Sequence, residues 1–471
     1  MPYHKTTQMT LIKSISGIRG TIGGATGDNL TPVDAVKFAS AYGTFLKNNT
    51  SKDKLTVVIG RDARISGPMI HTLVANTLVG LGIDVIDLGL STTPTVEIAV
   101  PMEKADGGII LTASHNPKQW NALKLLNEKG EFLSGADGAE ILEIAEAEAF
   151  NFADVDSLGE IINNDAYMDI HIDEVLDLPL VDADLVRQKK YKVVVDGVNS
   201  SGGIIIPKLL EQMGVEVVRL YCEPNGHFPH NPEPLKEHLG DICKLVVEEK
   251  ADFGIVVDPD VDRLALISND GEMFGEEYTL VAVADYVLSK TPGNTVSNMS
   301  SSRALRDITQ KHNGSYEASA VGEVNVVELM KKNNAIIGGE GNGGIIYPEL
   351  HYGRDSLVGV ALFLTYLAEN NITDVAALRA SYPQYYMSKN KIELTPQIDV
   401  DAILVAMTAK YAHEDITTID GVKIDFAEEW VHLRKSNTEP IIRIYTEAQT
   451  QDKADALAIR IIGEIKEVAG I

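Results

Sequence analysis

The segment Thr112-Ala113-Ser114-His115-Asn116-Pro117 places a hydroxyl nucleophile where phosphate chemistry could occur. It follows an apolar run, Gly108-Ile109-Ile110-Leu111, that reads as a buried strand. Asn116-Pro117 then turns the chain, which predicts Ser114 on an exposed loop at the strand's end. In open α/β sheets, ligands bind at that edge. One such serine is ordinary in a loop. Two further segments change its meaning: Asp258-Pro259-Asp260-Val261-Asp262-Arg263, and Arg434-Lys435-Ser436-Asn437-Thr438-Glu439-Pro440 with Arg443 three residues on. Nucleophile, cation site and anion cradle are three parts of one reaction.

Asp258, Asp260 and Asp262 directly follow the apolar run Phe253–Val257, on a loop stiffened by Pro259. Three carboxylates so placed cannot all stay buried and charged without a counter-ion. A divalent cation supplies one, and all-oxygen ligands suit Mg²⁺. The plain alternative is a solvated acidic turn. A strand ending in Asp-x-Asp also resembles the nucleophile loop of haloacid-dehalogenase-type phosphatases, in which Asp258 would be phosphorylated. Asp262 stands where Thr or Val is common in that loop, and that reading leaves Ser114 without a role. A non-catalytic sugar-phosphate binder is the third class.

In the third segment the guanidinium forks of Arg434 and Arg443 match phosphate oxygens, and Ser436, Asn437 and Thr438 add donors. A basic loop at a domain edge is its plain alternative. Gly338-Gly339-Glu340-Gly341-Asn342-Gly343-Gly344 reads as a glycine-rich loop. Glycines let the backbone approach a ligand closely, and Glu340 with Asn342 offers hydrogen bonds to sugar hydroxyls. It lacks the Lys-Ser/Thr ending of a nucleotide phosphate loop, and a structural turn is the competing reading. Gly17-Ile18-Arg19-Gly20 sets one arginine between glycines, within reach of a phosphorylated Ser114. Arg61-Asp62-Ala63-Arg64 is a further candidate for a local basic patch, or simply a solvated surface.

The elements that must hold these residues follow a strand, helix, strand rhythm. Leu55–Gly60 reads as a strand, Pro68 opens a helix ending near Gly80, and Asp84–Leu88 is the next strand. The pattern repeats from Tyr191–Val195 through a helix at Leu209 and Leu210 to Val215–Val218. It repeats again from Thr295-Val296 through a helix near Arg303–Leu305 to a turn at Asn313-Gly314. Such alternation predicts sheets covered on both faces. After Ser381-Tyr382-Pro383 the pattern changes: a strand at Lys391–Leu394, strands around Val431 and Ile442, and a closing helix from Ala454 to Ile465. We therefore expect domains at residues 1–158 with the serine, 159–272 with the aspartates, 273–384 with the glycine loop, and 385–471 with the arginines.

Bulk properties agree. A chain of 471 residues exceeds one core. A net charge of −27 repels polyanions and argues against nucleic acid as a partner. No apolar stretch approaches the ~18 residues of a membrane span, and Met1 to Thr10 lacks a secretory-signal core. Two cysteines, Cys222 and Cys243, are too few for a disulfide framework, so a reduced cytoplasm is expected.

Together the four segments resemble the α-D-phosphohexomutase superfamily, in the right order over nearly the whole chain. The resemblance implies three related α/β domains and a distinct C-terminal α+β domain around a central cleft, as a monomer or homodimer. It implies an isomerase that interconverts sugar 6-phosphates and 1-phosphates through a phosphoserine and a bisphosphorylated sugar, with a hexose 1,6-bisphosphate as activator. Ser114 would carry the phosphoryl group, and Asp258, Asp260 and Asp262 would bind one Mg²⁺ with the serine phosphate. Arg19 and Arg263 would stabilise the transferring group, beside His115. Lys124, in the Asn-Pro-x-x-x-Asn-x-x-Lys pattern, aligns with the general acid or base. Glu340 and Asn342 would hold the sugar, and Arg434, Ser436, Asn437, Thr438 and Arg443 the non-reacting phosphate. Such a charge-rich transfer needs positioning and cations above all.

Departures bear on the sugar. Ala122 replaces a common glycine, Gly344 stands where many bacterial members carry His, and Pro259 and Val261 stand where many have Gly. The Gly-Glu-Gly-Asn-Gly-Gly sequence resembles archaeal-type phosphoglucosamine and phosphomannose/phosphoglucose mutases. A carboxylate among glycines can pair with a protonated 2-amino group, which makes glucosamine phosphate the expected substrate. Glu340 could equally hold the 3- and 4-hydroxyls shared with glucose and mannose phosphates.

Overall fold

The computed structural model describes residues 9–14, 17–394, 399–435 and 441–469. Leu55–Arg61 lies parallel to Ile83–Leu90 on one side and Gly107–Leu111 on the other. Their valines and isoleucines are buried on both faces, which is what a parallel sheet requires. Val57 and Ile59 pack against helices Pro32–Asn48 and Gly67–Gly80, while Val58 packs against helix Thr93–Met102. The sheet runs Ile12–Ser14, Gly17–Thr21, Trp120–Leu126, Gly107–Leu111, Leu55–Arg61, Ile83–Leu90, Ile161–Asn163, its first three strands antiparallel. Helix Pro32–Asn48 begins where its sequence dictates: Thr31 and Asp34 form a reciprocal capping box around Pro32.

A second sheet repeats the plan. Its order is Leu264–Ser268, Phe253–Val257, Lys192–Asp196, Glu216–Leu220, all parallel except the first strand. In both sheets a parallel strand is followed by a loop and then by its antiparallel neighbour. The loop between Gly107–Leu111 and Trp120–Leu126 carries Ser114; the one between Phe253–Val257 and Leu264–Ser268 carries the aspartates. Helix Ser356–Glu369, capped by Asp355, sets Phe363 edge-on against Phe253 and Phe274 at 5.5 and 5.7 Å between ring centroids. These elements belong to one compact unit, Met1–Thr279 with Gly344–Ala376.

The second unit is Leu280–Gly343 with Ala377–Ile471. Tyr316–Ser319, Asn294–Asn298 and Ala335–Glu340 lie parallel in that order, a third piece of the α/β pattern. The C-terminal segment differs, as expected. It is an antiparallel sheet in the order Tyr386–Glu393, Ile441–Ala448, Trp430–Lys435, Val422–Asp425, Asp415–Thr417. Helices Val400–Lys410 and Gln451–Ala469 cover it with Ile403, Met407, Leu457, Ile461 and Ile465. Among the described residues no helix is long and apolar enough to cross a membrane, and both cysteines are free.

Two local features differ from the sequence reading. The strand Ala335–Glu340 continues through Gly338 and Gly339, so the glycine-rich loop shrinks to residues 341–343 before the next strand begins at Gly344. Trp120–Leu126, buried on nearly every residue, is a strand that the polar Asn121 and Lys124 disguise.

Candidate active site

Ser114 and Asp258 meet in the first unit. The Ser114 hydroxyl donates to Asp258 Oδ2 at 2.7 Å, and the backbone N–H of Ser114 donates to Thr112 Oγ1 at 2.9 Å. Ser114 has φ 48°, a left-handed conformation that costs a non-glycine residue about 1–2 kcal/mol. Ser114, expected to be exposed, is only 5% exposed, while Pro117, Lys118 and Gln119 of the same loop are exposed. Its hydroxyl lies 3.4 Å from His115 Nδ1.

Asp258, Asp260 and Asp262 are fully buried, and each offers an oxygen within 4.8 Å of the others. Asp258 Oδ1 accepts the N–H groups of Asp262 and Arg263, which folds the loop around that carboxylate. Val261, the β-branched residue where a glycine would be at ease, sits at φ 66°. Three bonds hold the loop in this strained form: Thr93 N to Asp260 O at 2.9 Å, Ser356 N to Val261 O at 3.2 Å, and Ser200 Oγ to Pro259 O at 2.7 Å.

Cations surround the carboxylates. Lys124 Nζ donates to Asp260 Oδ2 at 2.6 Å and Asp262 Oδ2 at 3.2 Å. Thr93 Oγ1 donates to Asp260 Oδ2 at 2.5 Å. Arg263 lies 3.6 Å from Glu233 and 4.0 Å from Asp262. Sequence reasoning missed Arg354, whose Nη2 donates to Asp262 Oδ2 at 2.7 Å. It lies 92 residues beyond its partner, and only the order Gly353-Arg354-Asp355 before a helix could have hinted at it.

The charges push one another apart. Burial, then the neighbouring Asp260 and Asp262, raises Asp258 well above the usual carboxylate range. Burial acts the same way on Asp262, but Arg354, Lys124 and Arg263 overcome it and hold Asp262 low. Burial would lower Lys124, yet Asp260 and Asp262 raise it instead. Burial, with Arg263 and Arg19 nearby, holds His115 well below an ordinary histidine. Arg19 is lowered by burial and Arg263, and it feels Asp260 and Asp262. Arg19, on the strand Gly17–Thr21, therefore faces the same cluster.

The donor set fits a hard divalent cation. Asp260 Oδ1 and Asp262 Oδ1 are buried without a hydrogen-bond partner. Buried oxygens left open beside a raised carboxylate are what an oxygen-ligated ion would satisfy.

In the second unit, Glu340 ends its strand with Oε1 accepting from Asn298 Nδ2 at 2.8 Å and Gly322 N at 3.1 Å. Asn342 Nδ2 reaches its other oxygen at 3.5 Å. Arg434 lies directly opposite Arg443 across the strand pair, with Nη1 3.7 Å from Asp420. Burial lowers Arg434, Asp420 opposes that, and both Arg443 and Glu340 are close enough to be felt. Arg434 thus feels both Arg443 and Glu340 electrostatically. Ser436, Asn437 and Thr438 lie outside the described residues.

One expectation is corrected. Arg64 is neither a solvated patch nor open to a phosphate. It is fully buried, and its donors are bound to Asp62 and to the carbonyls of Ser114, Asn116, Pro117 and Trp120.

Comparison with known proteins bears on this arrangement. Family models described as phosphoglucomutase/phosphomannomutase alpha/beta/alpha domains I, II and III match residues 11–152, 169–271 and 275–385, and that of the C-terminal domain matches 390–464. The chain is 35% identical over 439 residues to a phosphoglucomutase/phosphomannomutase of Thermococcus kodakarensis, covering 92% of this chain and 95% of that one. It is 31% identical over 459 residues to a phosphoglucosamine/phosphogalactosamine mutase of Sulfurisphaera tokodaii, covering 96% and 97%. A crystal structure of a phosphoglucomutase/phosphomannomutase family protein from Burkholderia thailandensis shares the fold at a TM-score of 0.83, over 99% of this chain and 98% of that one, at 24% identity.

Proposed function

The chain belongs to the phosphoglucomutase/phosphomannomutase family, and from that premise we propose that it is a phosphoglucosamine mutase whose phosphoryl carrier is Ser114. That it is a phosphohexomutase, an isomerase, follows from the family. The observation that carries the assignment of the carrier is the 2.7 Å bond from Ser114 Oγ to Asp258, within a buried carboxylate group ringed by Lys124, Arg263 and Arg354.

In the first half-reaction the Oγ–P bond of phosphorylated Ser114 breaks as a bond from phosphorus to a free sugar hydroxyl oxygen forms; the hydroxyl's proton leaves and a proton returns to Ser114 Oγ. In the second, the bisphosphorylated sugar is reversed in the site, the P–O bond of its other phosphate breaks as a bond from phosphorus to Ser114 Oγ forms, and the protons move the opposite way. We assign the mobile proton to Lys124, and the charge on the transferring oxygens to Arg19 and Arg263. One Mg²⁺ held by Asp258, Asp260 and Asp262 with the serine phosphate would supply further positive charge against that group. The two ends of the sugar alternate at Ser114, so the idle phosphate needs a fixed holder. We assign that role to Arg434 and Arg443 with Ser436, Asn437 and Thr438, and activation to a hexose 1,6-bisphosphate. Glu340 and Asn342 are assigned to the sugar itself. The buried Glu340 carboxylate favours a protonated 2-amino group, hence glucosamine phosphate over the glucose and mannose phosphates. The two cysteines support a reduced, cytoplasmic setting, and the family resemblance supports a monomer or homodimer.

A single series of measurements tests this. Peptide mass spectrometry should find acid-stable phosphate on Ser114; a hydroxylamine-labile phosphate on Asp258 would replace the mutase by an aspartyl phosphatase. Ligand binding with no 1-to-6 exchange would mark a mere binder. With the carrier established, kcat/KM is compared for glucosamine 6-phosphate, glucose 1-phosphate and mannose 1-phosphate at equal Mg²⁺ and activator. A preference for glucose or mannose above about tenfold, ~1.4 kcal/mol in transition-state binding, overturns the choice of sugar.

A further inference from the structure

A guanidinium has five N–H donors, and in Arg64 each one has its own acceptor. Nε donates to Asp62 Oδ2 at 2.9 Å. Nη1 donates to the carbonyls of Pro117 at 2.8 Å and Trp120 at 3.0 Å. Nη2 donates to the carbonyls of Ser114 at 2.5 Å and Asn116 at 2.7 Å. Four carbonyl oxygens of the turn 114–120 therefore converge on one buried cation, an arrangement that their mutual repulsion would otherwise forbid. The Phe228 ring lies over the guanidinium at 5.1 Å.

The counter-ion grips the same loop from its other side. Asp62 Oδ2 also accepts from Thr112 Oγ1 at 2.7 Å, and Thr112 Oγ1 accepts the N–H of Ser114 at 2.9 Å. Both peptide groups of Ser114 are thus tied to one ion pair, its carbonyl directly and its N–H through Thr112. This is the residue held at φ 48°. The segment Asp62-Ala63-Arg64 also reaches the aspartate loop: Ala63 N donates to Ser200 Oγ at 3.3 Å, and Ser200 Oγ donates to Pro259 O at 2.7 Å.

We propose that Arg64, charge-balanced by Asp62, is a positioning residue for phosphoryl transfer: it locks Ser114 in its left-handed conformation and, through Ala63 and Ser200, fixes the nucleophile loop against the aspartate loop. The proposal rests on Ser114 being the phosphoryl carrier. Lysine cannot substitute, because an ammonium offers three donors without a planar fork.

The test uses the full chain and glucose 1,6-bisphosphate carrying ³²P as donor, with rapid quench and mapping of the label. In Arg64→Lys the rate of labelling Ser114, per folded molecule, falls about a hundredfold, the scale on which small misplacements act. KM for the sugar phosphate and the affinity of the unphosphorylated protein for Mg²⁺ stay within about twofold. Should Arg64→Lys fail to fold, Thr112→Val removes both hydrogen bonds of the hydroxyl, to Asp62 and from Ser114 N, while keeping the side chain's shape, and slows labelling about tenfold. A labelling rate within about twofold of the parent in a folded variant, or a loss carried equally by KM, overturns the proposal. Label on a residue other than Ser114 in the parent protein instead overturns the carrier assignment, and the proposal with it.

Discussion

Around Ser114, three carboxylates of one sign crowd within 4.8 Å of one another; around Trp430, in the second unit, buried charges alternate in sign. There Arg303 donates to Asp425 at 2.9 Å and to the carbonyls of Phe426 and Glu429 at 2.7 and 2.9 Å. Lys423 lies 4.3 Å from the Trp430 ring centroid and donates to Met299 O. Glu447 accepts from Trp430 Nε1 and from the backbone of Arg303. Both regions bury ionisable groups, yet only the first stacks like charges on consecutive turns of one loop. Opposite charges interleaved one by one stabilise a fold; like charges crowded on one loop, with Asp260 Oδ1 and Asp262 Oδ1 still unbonded although Lys124, Arg263 and Arg354 stand beside them, are what a ligand ion can bind.

Asp260→Asn gives the largest effect that separates the two. It removes one anionic ligand, so turnover falls by about 10²–10³-fold, on the scale of one lost transition-state partner. The fold should survive, because Lys124 keeps its pair with Asp262 and two like charges crowd less than three. Retained turnover with a large loss of melting temperature would make the aspartates structural and erase the contrast.

Arg303→Met is the converse. It strips Asp425 and three carbonyls, those of Phe426, Ala427 and Glu429, of their donor and costs about 2–3 kcal/mol in denaturant unfolding. Exchange per folded molecule should be unchanged, and a selective loss of kcat would move this cluster into the reaction.

The contrast also explains what the sequence made legible. Strands such as Phe253–Val257 announce themselves as unbroken apolar runs, and each chemistry-bearing loop follows one directly, so Ser114 and the three aspartates stand out as contiguous motifs. Arg354 and Arg64 do not. Arg354's partner lies 92 residues away, and the carbonyls that bind Arg64 lie 50 to 56 residues away although its counter-ion Asp62 is near it in the chain; an arginine in the sequence gives no sign that it is buried. The Arg434 strand was legible as basic, but its pairing with Arg443 depends on an antiparallel register set by residues between them. Local pattern shows what a loop offers, and tertiary contact decides what holds it in place.

A smaller effect separates the regions by pH. His432 is buried, with Nδ1 2.9 Å from Ser300 Oγ and Nε2 2.7 Å from the Asp420 carbonyl. Burial, joined by Lys423 and Arg434, lowers it to about 4. An unfolded histidine titrates near 6.5, so between these values the unfolded chain binds more protons than the folded one. Stability is therefore full above pH ~6.5 and declines as pH falls toward 4, by about 1–2 kcal/mol at pH 5. His432→Gln flattens that limb of a melting-temperature profile. An unchanged limb would assign the acid sensitivity to other groups.

The first unit is not continuous in the chain: residues 344–376 complete it after Leu280–Gly343 have intervened. During synthesis at roughly 5–20 residues per second, those 64 residues take roughly 3–13 s. For that interval Phe253 and Phe274 are without Phe363, and Asp262 is without Arg354. A nascent chain at this stage presents an open apolar surface beside an acidic loop that lacks one of its cations. The carboxylate cluster is thus completed only by residues 344–376, and a product ending before residue 344 lacks both Arg354 and Phe363.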